Sequence, residues 1–578
     1  MKRRLWISVS VLLLGCGVVF AVGALERVLK PQPELPALLP EGALLSIEAR
    51  DFSSLLRDWN ASEEKRAWLV SDNHASFSNS RLFTRLSQAQ DEFSTAAGLP
   101  ADSSLLGKVA GKESCLGLYD IGNLKFVYVT RLDQQQIEST PLWQTRSKFE
   151  QRSEAGSAFY VHTDASSSRT AAFASRDGWL ILGTDEDLVA GVLDRLAGTS
   201  THNLANEGWF AEAVQQAAGE RGDLRMVLNL EKIVRTPYFR SYWIQQNITE
   251  MKQYSSAVSD LYRSSQAYRE ERVLLRRAGA AGVSHGDVHS LATLAPEDAA
   301  FYAVQASPAP ESVLQALRDN LLEPNPERAA ASYSTAPAAA VAENSGSAAQ
   351  LDVRIDQAPV VAKQTDAYAP LRALLAAQPS EALLEVYSTR APRENAFVSL
   401  QTAMVLSAPR NWDEDAVRQA LTSALPSGLT TGSLGVNWEK RSSAAGAYLA
   451  LDGALPLYLA ANGKQLLLAN DSLLLESLLA RGQKAVSSDA NGSVTYTALF
   501  QHTQEESSFR RLMAQLDLAG QRGASDRETP AASGETPAFF SGDVASLSRV
   551  FSNVKSERIE EKDLGAKVTQ TVTYQWTR

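Results

Sequence analysis

One local plan is spelled twice in this chain, and it constrains the fold more than any other feature. Residues 175–193 read SRDGWLILGTDEDLVAGVL, and residues 461–479 read ANGKQLLLANDSLLLESLL. Each runs from a two-residue turn (Asp177-Gly178, Asn462-Gly463) through a short apolar strand to a polar pair (Asp185-Glu186, Asn470-Asp471). Leucine-rich helical spacing follows in both. Asp-Gly and Asn-Gly favour a tight type I′ hairpin turn, whose two central residues both take positive φ. Asp185 and Asn470 then stand where a helix N-cap belongs, offering an oxygen to orphan backbone donors, and the leucines after them form the buried face. Each copy therefore predicts a hairpin feeding a helix that packs back over its sheet.

The plan extends upstream in both places. LLPEGALLSIEARDFSSLLRDW predicts a turn, a strand through Ala43 to Glu48 and a helix carrying Leu55, Leu56 and Trp59. LAPEDAAFYAVQASPAPESVLQAL, from Leu294, repeats the proline-acid turn, with a strand through Phe301 to Val304 and a helix carrying Val313, Leu314 and Leu317. Strands around Tyr119 and Val127 find counterparts around Tyr387 and Met404. GSAFYVHTD and GAYLALDG then precede the paired hairpins, and DLRMVLNLEKI matches VTYTALFQHTQ more weakly. The offset grows from 256 residues at Pro40/Pro296 to 285 at Gly178/Gly463, which loop insertions explain. Identity in these windows is low, so the repeat rests on order and pattern. Strand runs followed by helices, without regular βαβ alternation, predict an α+β fold. The expectation is two tandem, internally duplicated domains with mostly antiparallel sheets and packed helices, at 39–290 and 294–578. Low-complexity loops fall at about 323–350 and 518–537. VTQTVTYQW, which alternates Val568, Val572, Tyr574 and Trp576 with polar residues, predicts a final strand with one buried face.

At 578 residues the chain is too long for one core. Its net charge of -10 argues against a protein that grips phosphate backbones, so nucleic acid is not an expected partner. Two cysteines, Cys16 and Cys115, allow neither a disulfide framework nor a four-thiolate metal site within one chain. Cys115 reads as a small buried apolar residue. Lys2, Arg3 and Arg4 precede an uncharged run over 5–25, long enough to cross a hydrocarbon core of about 30 Å. The expectation is a cytoplasmic 1–4, a transmembrane anchor or signal peptide at 5–25, and a proline-spaced stalk at 26–38. The bulk would lie outside the cytoplasm, tethered to a bacterial inner membrane. Cleavage near Gly23 and Ala24, or lipid attachment at Cys16, are the alternatives.

The opening motifs LPEGALLSIEARDFSSLL and APEDAAFYAVQASPAPESVL, together with ANGKQLLLANDSLLLESLLA, resemble a broad group of bacterial exported or membrane-anchored proteins with no established activity. The resemblance covers both halves, and its motifs are structural. It implies an envelope location and this fold, and it carries over no functional residue.

Motifs that carry chemistry are sparse. GKVAGKES, from Gly107, has too short a spacing to Gly111 for a phosphate loop, and Glu113 stands where a magnesium-binding hydroxyl is needed. HGDVH supplies His285, Asp287 and His289, two histidines at ligand spacing if helical, but its glycine favours a solvated linker. His74, His162, His202 and His502 stand alone in sequence. Asp185, Glu186 and Asp187 complement a helix dipole at its start and need no catalytic role. RTPYFRSYWIQQ concentrates Tyr238, Phe239, Tyr242 and Trp243 with Arg235 and Arg240, residue types of binding hot spots, although a shared helix face is more often core. YREERVLLRR near Tyr268 reads as a charged, half-buried strand or helix. No catalytic, cofactor-binding or metal residue is assigned. The expected function is a non-enzymatic, membrane-tethered, two-domain binding or scaffolding module with an envelope protein partner. The alternatives are an extracytoplasmic enzyme whose site is scattered through the sequence, and a small-ligand-binding protein using an inter-domain cleft.

Overall fold

Two buried strands anchor the architecture, WLILG at Trp179–Gly183 and QLLLA at Gln465–Ala469. Apolar runs of this kind, rather than alternating patterns, belong to strands covered on both faces. The computed structural model describes residues 34–70, 74, 78, 81–99, 104–217, 219–236, 251–279, 286, 288–322, 366–390, 399–425, 436–452, 456–482, 493–502 and 554–576. The expected membrane segment 5–25 with Cys16, the stalk as far as 33, and the loops 323–350 and 518–537 lie outside them. Among the described residues no helix is long and apolar enough to cross a membrane. Helices and antiparallel strands mix throughout, an α+β fold. The chain divides into two compact units, Met1–Ser53 with Gln90–Glu212 and Ser54–Ala89 with Ala213–Arg578.

The first unit carries β1 (Leu45–Ala49), β2 (Ser114–Asp120), β3 (Lys125–Arg131), β4 (Glu150–Glu154), β5 (Ser157–Thr163), β6 (Thr170–Arg176) and β7 (Trp179–Gly183). They pair antiparallel in the order β1–β2–β3–β7–β6–β5–β4. Phe149, Phe173, Leu180 and Leu182 form a core with Ile137 and Leu142. The helix Glu186–Ala197 buries Val189, Val192 and Leu193 and ends at Gly198, whose φ of 74° supplies the left-handed cap.

The second unit carries β8 (Leu224–Leu228), β9 (Tyr254–Arg263), β10 (Ala267–Arg276), β11 (Phe301–Ala306), β12 (Ala382–Arg390), β13 (Ser399–Ser407), β14 (Glu439–Ser443), β15 (Gly446–Leu451), β16 (Leu457–Asn462), β17 (Gln465–Ala469), β18 (Val494–Phe500), β19 (Val554–Asp563) and β20 (Lys567–Trp576). Their antiparallel order is β8–β9–β10–β20–β19–β18–β11–β12–β13–β17–β16–β15–β14. One face packs on the helices Val288–Ala292 and Ser472–Gly482, through Leu291, Leu474, Leu475, Leu478 and Leu479. The other packs on Pro310–Leu317, Ala369–Ala377 and Glu414–Ala424, through Leu314, Leu371 and Leu421. Each such leucine contributes about 1.5–3 kcal/mol on burial. Strands β8–β10, inside the expected 39–290 domain, fall in this unit because β10 lies beside β20. Within that pair Glu271 stands opposite Thr571. The two hairpins share one register 300 residues apart, Arg263 opposite Tyr268 in one and Asp563 opposite Val568 in the other.

The repeated block departs from the sequence reading by one residue in its second occurrence. Asp177 and Gly178, at φ 51° and 79°, form the expected turn between Arg176 and Trp179. In the second occurrence Asn462 pairs with Gln465, so the central residues are Gly463 and Lys464, and only Gly463 takes positive φ, at 59°. Glycine in the first central position is the type II′ arrangement. The cap shifts likewise. Asp471, not Asn470, caps the helix, its Oδ1 accepting from the Leu474 amide at 2.9 Å. Asn470 instead extends the sheet: its amide donates to Thr402 O at 3.0 Å, and its Oδ1 accepts from the Thr402 amide at 2.8 Å. Thr184 does the same in the first unit, bonding Phe126 through its amide at 3.1 Å and its Oγ1 at 3.0 Å, after which Asp185 caps the helix.

Candidate functional site

The residues singled out for possible chemistry have structural roles where the structure describes them. Gly107 lies in the helix Ser104–Val109, and a Cβ on Gly111 would fall 2.2 Å from Arg131 O, so Gly111 is a packing glycine. His289 lies in the helix Val288–Ala292, whose Val288 and Leu291 enter the core, so this part of the stretch is not a solvated linker. His285 and Asp287 lie outside the described residues, as do Tyr238, Phe239, Arg240, Tyr242 and Trp243. Arg235 pairs with Glu231 at 2.9 Å. Asp185 caps its helix and pairs with Lys125. His162 Nδ1 lies 2.7 Å from Ala96 O, His202 lies 3.3 Å from Glu41, and His74 sits against the Trp68 ring. Cys115 is buried and forms no disulfide. Among the described residues no group of three or more His, Cys, Asp or Glu is placed to hold a metal.

His502 lines a cavity. It follows β18 and lies against Phe500, ring centroids 4.3 Å apart and planes tilted by 59°. Opposed residues of an antiparallel sheet project from the same face, so register alone builds a row here. Tyr387 on β12, Phe301 on β11, Phe500 on β18, Glu557 on β19, Tyr574 on β20 and Tyr268 on β10 stand opposite one another in sequence across six strands. The Phe301 ring lies 5.7 Å from that of Tyr387 and 6.1 Å from that of Phe500. The next row on the same face is Glu385, Ala303, Ala498, Ile559, Val572 and Glu270. Two alanines beside two phenylalanines leave space. A cavity of about 240 Å³ opens there, lined by Phe301, Ala498, Phe500, His502, Glu557 and Ile559.

Partial burial shifts the ionisable groups of this face. Burial pushes the Glu557 carboxyl above its ordinary pKa, against the opposing pull of Arg272. Burial also lowers the His502 pKa, favouring the neutral ring. Glu385 is raised by burial although Tyr387 donates to it at 3.2 Å. Asn320 fixes that pair, donating to the Tyr387 hydroxyl at 2.9 Å. Desolvation raises the Tyr387, Tyr496 and Tyr574 hydroxyls, with neighbouring carboxylates adding to it. Burial also opposes ionisation of Glu270, yet hydrogen bonds from Arg272 and Ser259 bring its pKa below the ordinary value. Arg272 is thereby engaged, at 2.6 Å to Glu270 and 2.8 Å to Gln570. The arrangement suits binding: apolar walls and ring faces hold an apolar body, and one carboxylate orients a donor.

Sequence reasoning did not single out Phe301, Phe500, Glu557 or Ile559 as a site, and it left His502 solitary. The one available signal was the aromatic end of each strand, in AAFYAV and TALFQH. Which strands stand side by side is not written in either.

No family model matches the chain, and no curated protein matches it. Among solved structures, crystal form I of TP0453 is similar at a TM-score of 0.25 and 8% identity, over 44% of this chain and 82% of that one. A likeness so slight supports no argument about fold or function.

Proposed function

We propose that this chain is a membrane-tethered extracytoplasmic binding module that holds another envelope component on the aromatic face of its larger unit. The observation that carries the reading is the row Tyr387, Phe301, Phe500, Glu557, Tyr574 and Tyr268, which sets aromatic rings side by side across six strands and whose Phe301, Phe500 and partly buried Glu557 line a cavity. Aromatic side chains give much contact area at low entropic cost, which is why they dominate binding hot spots. The tether rests on the sequence: three cations before an uncharged run over 5–25 orient the chain with its bulk across the membrane. A C-terminal fusion to a reporter active only outside the cytoplasm should be active, and a silent one made at normal level would reverse the orientation.

The module is also read as an internal duplication. The order β1–β2–β3–β7–β6–β5–β4 and the order β11–β12–β13–β17–β16–β15–β14 are the same plan, and the Thr184/Asn470 and Asp185/Asp471 contacts recur at its helix entry. EQRSEA at 150–155 and EKRSSA at 439–444 occupy the same outer strand and turn. The binding reading is tested by recovering the full chain from envelope extract, wild type beside a Phe301→Ala/Phe500→Ala double variant, and identifying proteins and small molecules retained by each. A component kept by the wild type and lost by the variant is expected. Identical sets from two folded proteins would sink the reading.

A further inference from the structure

Resting on that binding reading, we infer that the cavity lined by Phe301, Ala498, Phe500, His502, Glu557 and Ile559 takes an ammonium group carried on a small apolar body. Four observations converge on this chemistry. The walls are two phenylalanine rings, an isoleucine and an alanine, so an apolar body is desolvated on entry. Among the described residues the Glu557 carboxylate feels the pull of Arg272 but makes no hydrogen bond or ion pair, and a partly buried carboxylate left so is costly until a cation or donor reaches it. The nearby guanidinium of Arg272 is held by Glu270 on its own strand and by Gln570 on β20, so it pulls on Glu557 without forming a hydrogen bond or ion pair with it. The ring faces of Phe301 and Phe500 attract positive charge through their quadrupoles, and a neutral His502 does not repel it.

The same geometry discriminates against the alternatives. A carboxylate or phosphate entering the cavity would meet Glu557 with no cation lining the wall. A neutral apolar molecule would fill the space and leave Glu557 unpaired. Size sets a further limit, because about 240 Å³ lies below the roughly 300–1,000 Å³ of drug-sized sites. The ligand is therefore a small arylalkyl or cycloalkyl amine rather than a polyamine or a nucleoside.

Isothermal titration of the full chain in detergent with 2-phenylethylamine, 2-phenylethanol and phenylacetate tests this. The amine should bind at least tenfold more tightly than the alcohol, and phenylacetate should give no heat of binding. Glu557→Gln should abolish the preference for the amine while keeping the alcohol's affinity, and its melting curve shows whether it is folded. Ala498→Leu, which fills the cavity without touching the charge, should remove amine binding. Equal affinity for amine and alcohol, or a preference that survives Glu557→Gln, would overturn the ammonium assignment and leave the aromatic-face reading to its own double-variant test. Absence of binding by all three probes would overturn the cavity as a small-ligand site.

Discussion

The polar residue that closes β17 shows how much one position can decide. Asn470 and Asp471 look interchangeable in sequence, since both offer an oxygen at the entry to a leucine-rich helix. Their oxygens go to different places: Asn470 to the Thr402 amide of the sheet, Asp471 to the Leu474 amide of the helix. Asp471→Ala should therefore lose about 0.5–2 kcal/mol as a lost cap. Asn470→Ala should lose about 1–3 kcal/mol by stranding a backbone donor of nearly buried Thr402. Urea melts of the full chain measure both, and an Asn470→Ala variant as stable as wild type would contradict the sheet role. Glu385 supplies a pH test. Burial raises its pKa above the ordinary 4.5, so the folded state favours the neutral acid. The stability tied to that acid is complete below the ordinary value and is lost as pH rises through the raised one. Glu385→Gln, which stays neutral, should melt above wild type at pH 8, and the advantage should vanish near pH 4. An advantage independent of pH would show that the effect is packing.

Among elements, the last strand is the most consequential. β20 lies between β10 and β19, buries Val568 and Val572, and is tied laterally by Arg276 to Asp563 at 2.9 Å across its end and by Arg272 to Gln570 at 2.8 Å. A chain stopped after Asp563 would strip both neighbours of their partner and expose two valines worth about 1.5–3 kcal/mol each. Against a typical margin of about 5–15 kcal/mol, with two ladders also lost, the larger unit should no longer unfold cooperatively. Limited proteolysis reads this directly; a truncated chain as resistant as the full one would refute it. The strand itself was legible, because Val568, Val572, Tyr574 and Trp576 keep period two. Its partner was not, because alternation tells which side chains share a face and says nothing of which distant strand lies alongside. The cavity was hidden for the same reason. Phe301, Phe500 and Glu557 meet only through the β11–β18–β19 register, and β19 reads in sequence as a charged segment, SERIEEK. The turn at Gly463 slipped by one residue because Asn-Gly and Gly-Lys both satisfy hairpin chemistry, and the pairing of Asn462 with Gln465 decides between them.

At the scale of the whole molecule, the register of β10 against β20 has a meaning that neither strand carries alone. On the duplication reading, a residue and its counterpart 300 positions later are equivalent, and Glu271 faces that counterpart, Thr571, across the ladder. Such self-facing positions are the mark of an isologous contact, the kind through which identical subunits form two-fold pairs. An acid at both positions would set two carboxylates directly opposed; the threonine at 571 avoids that clash. Thr571→Glu introduces it, and should lower stability by about 0.2–1 kcal/mol at low ionic strength, with the loss shrinking as salt screens the pair. A loss indifferent to salt in urea titrations would argue against that account. On the duplication reading the joint corresponds to a homodimer interface enclosed within a single polypeptide: its stoichiometry is independent of dilution, its two sides are free to diverge, and the strand edge that would otherwise recruit a stranger's backbone is permanently occupied.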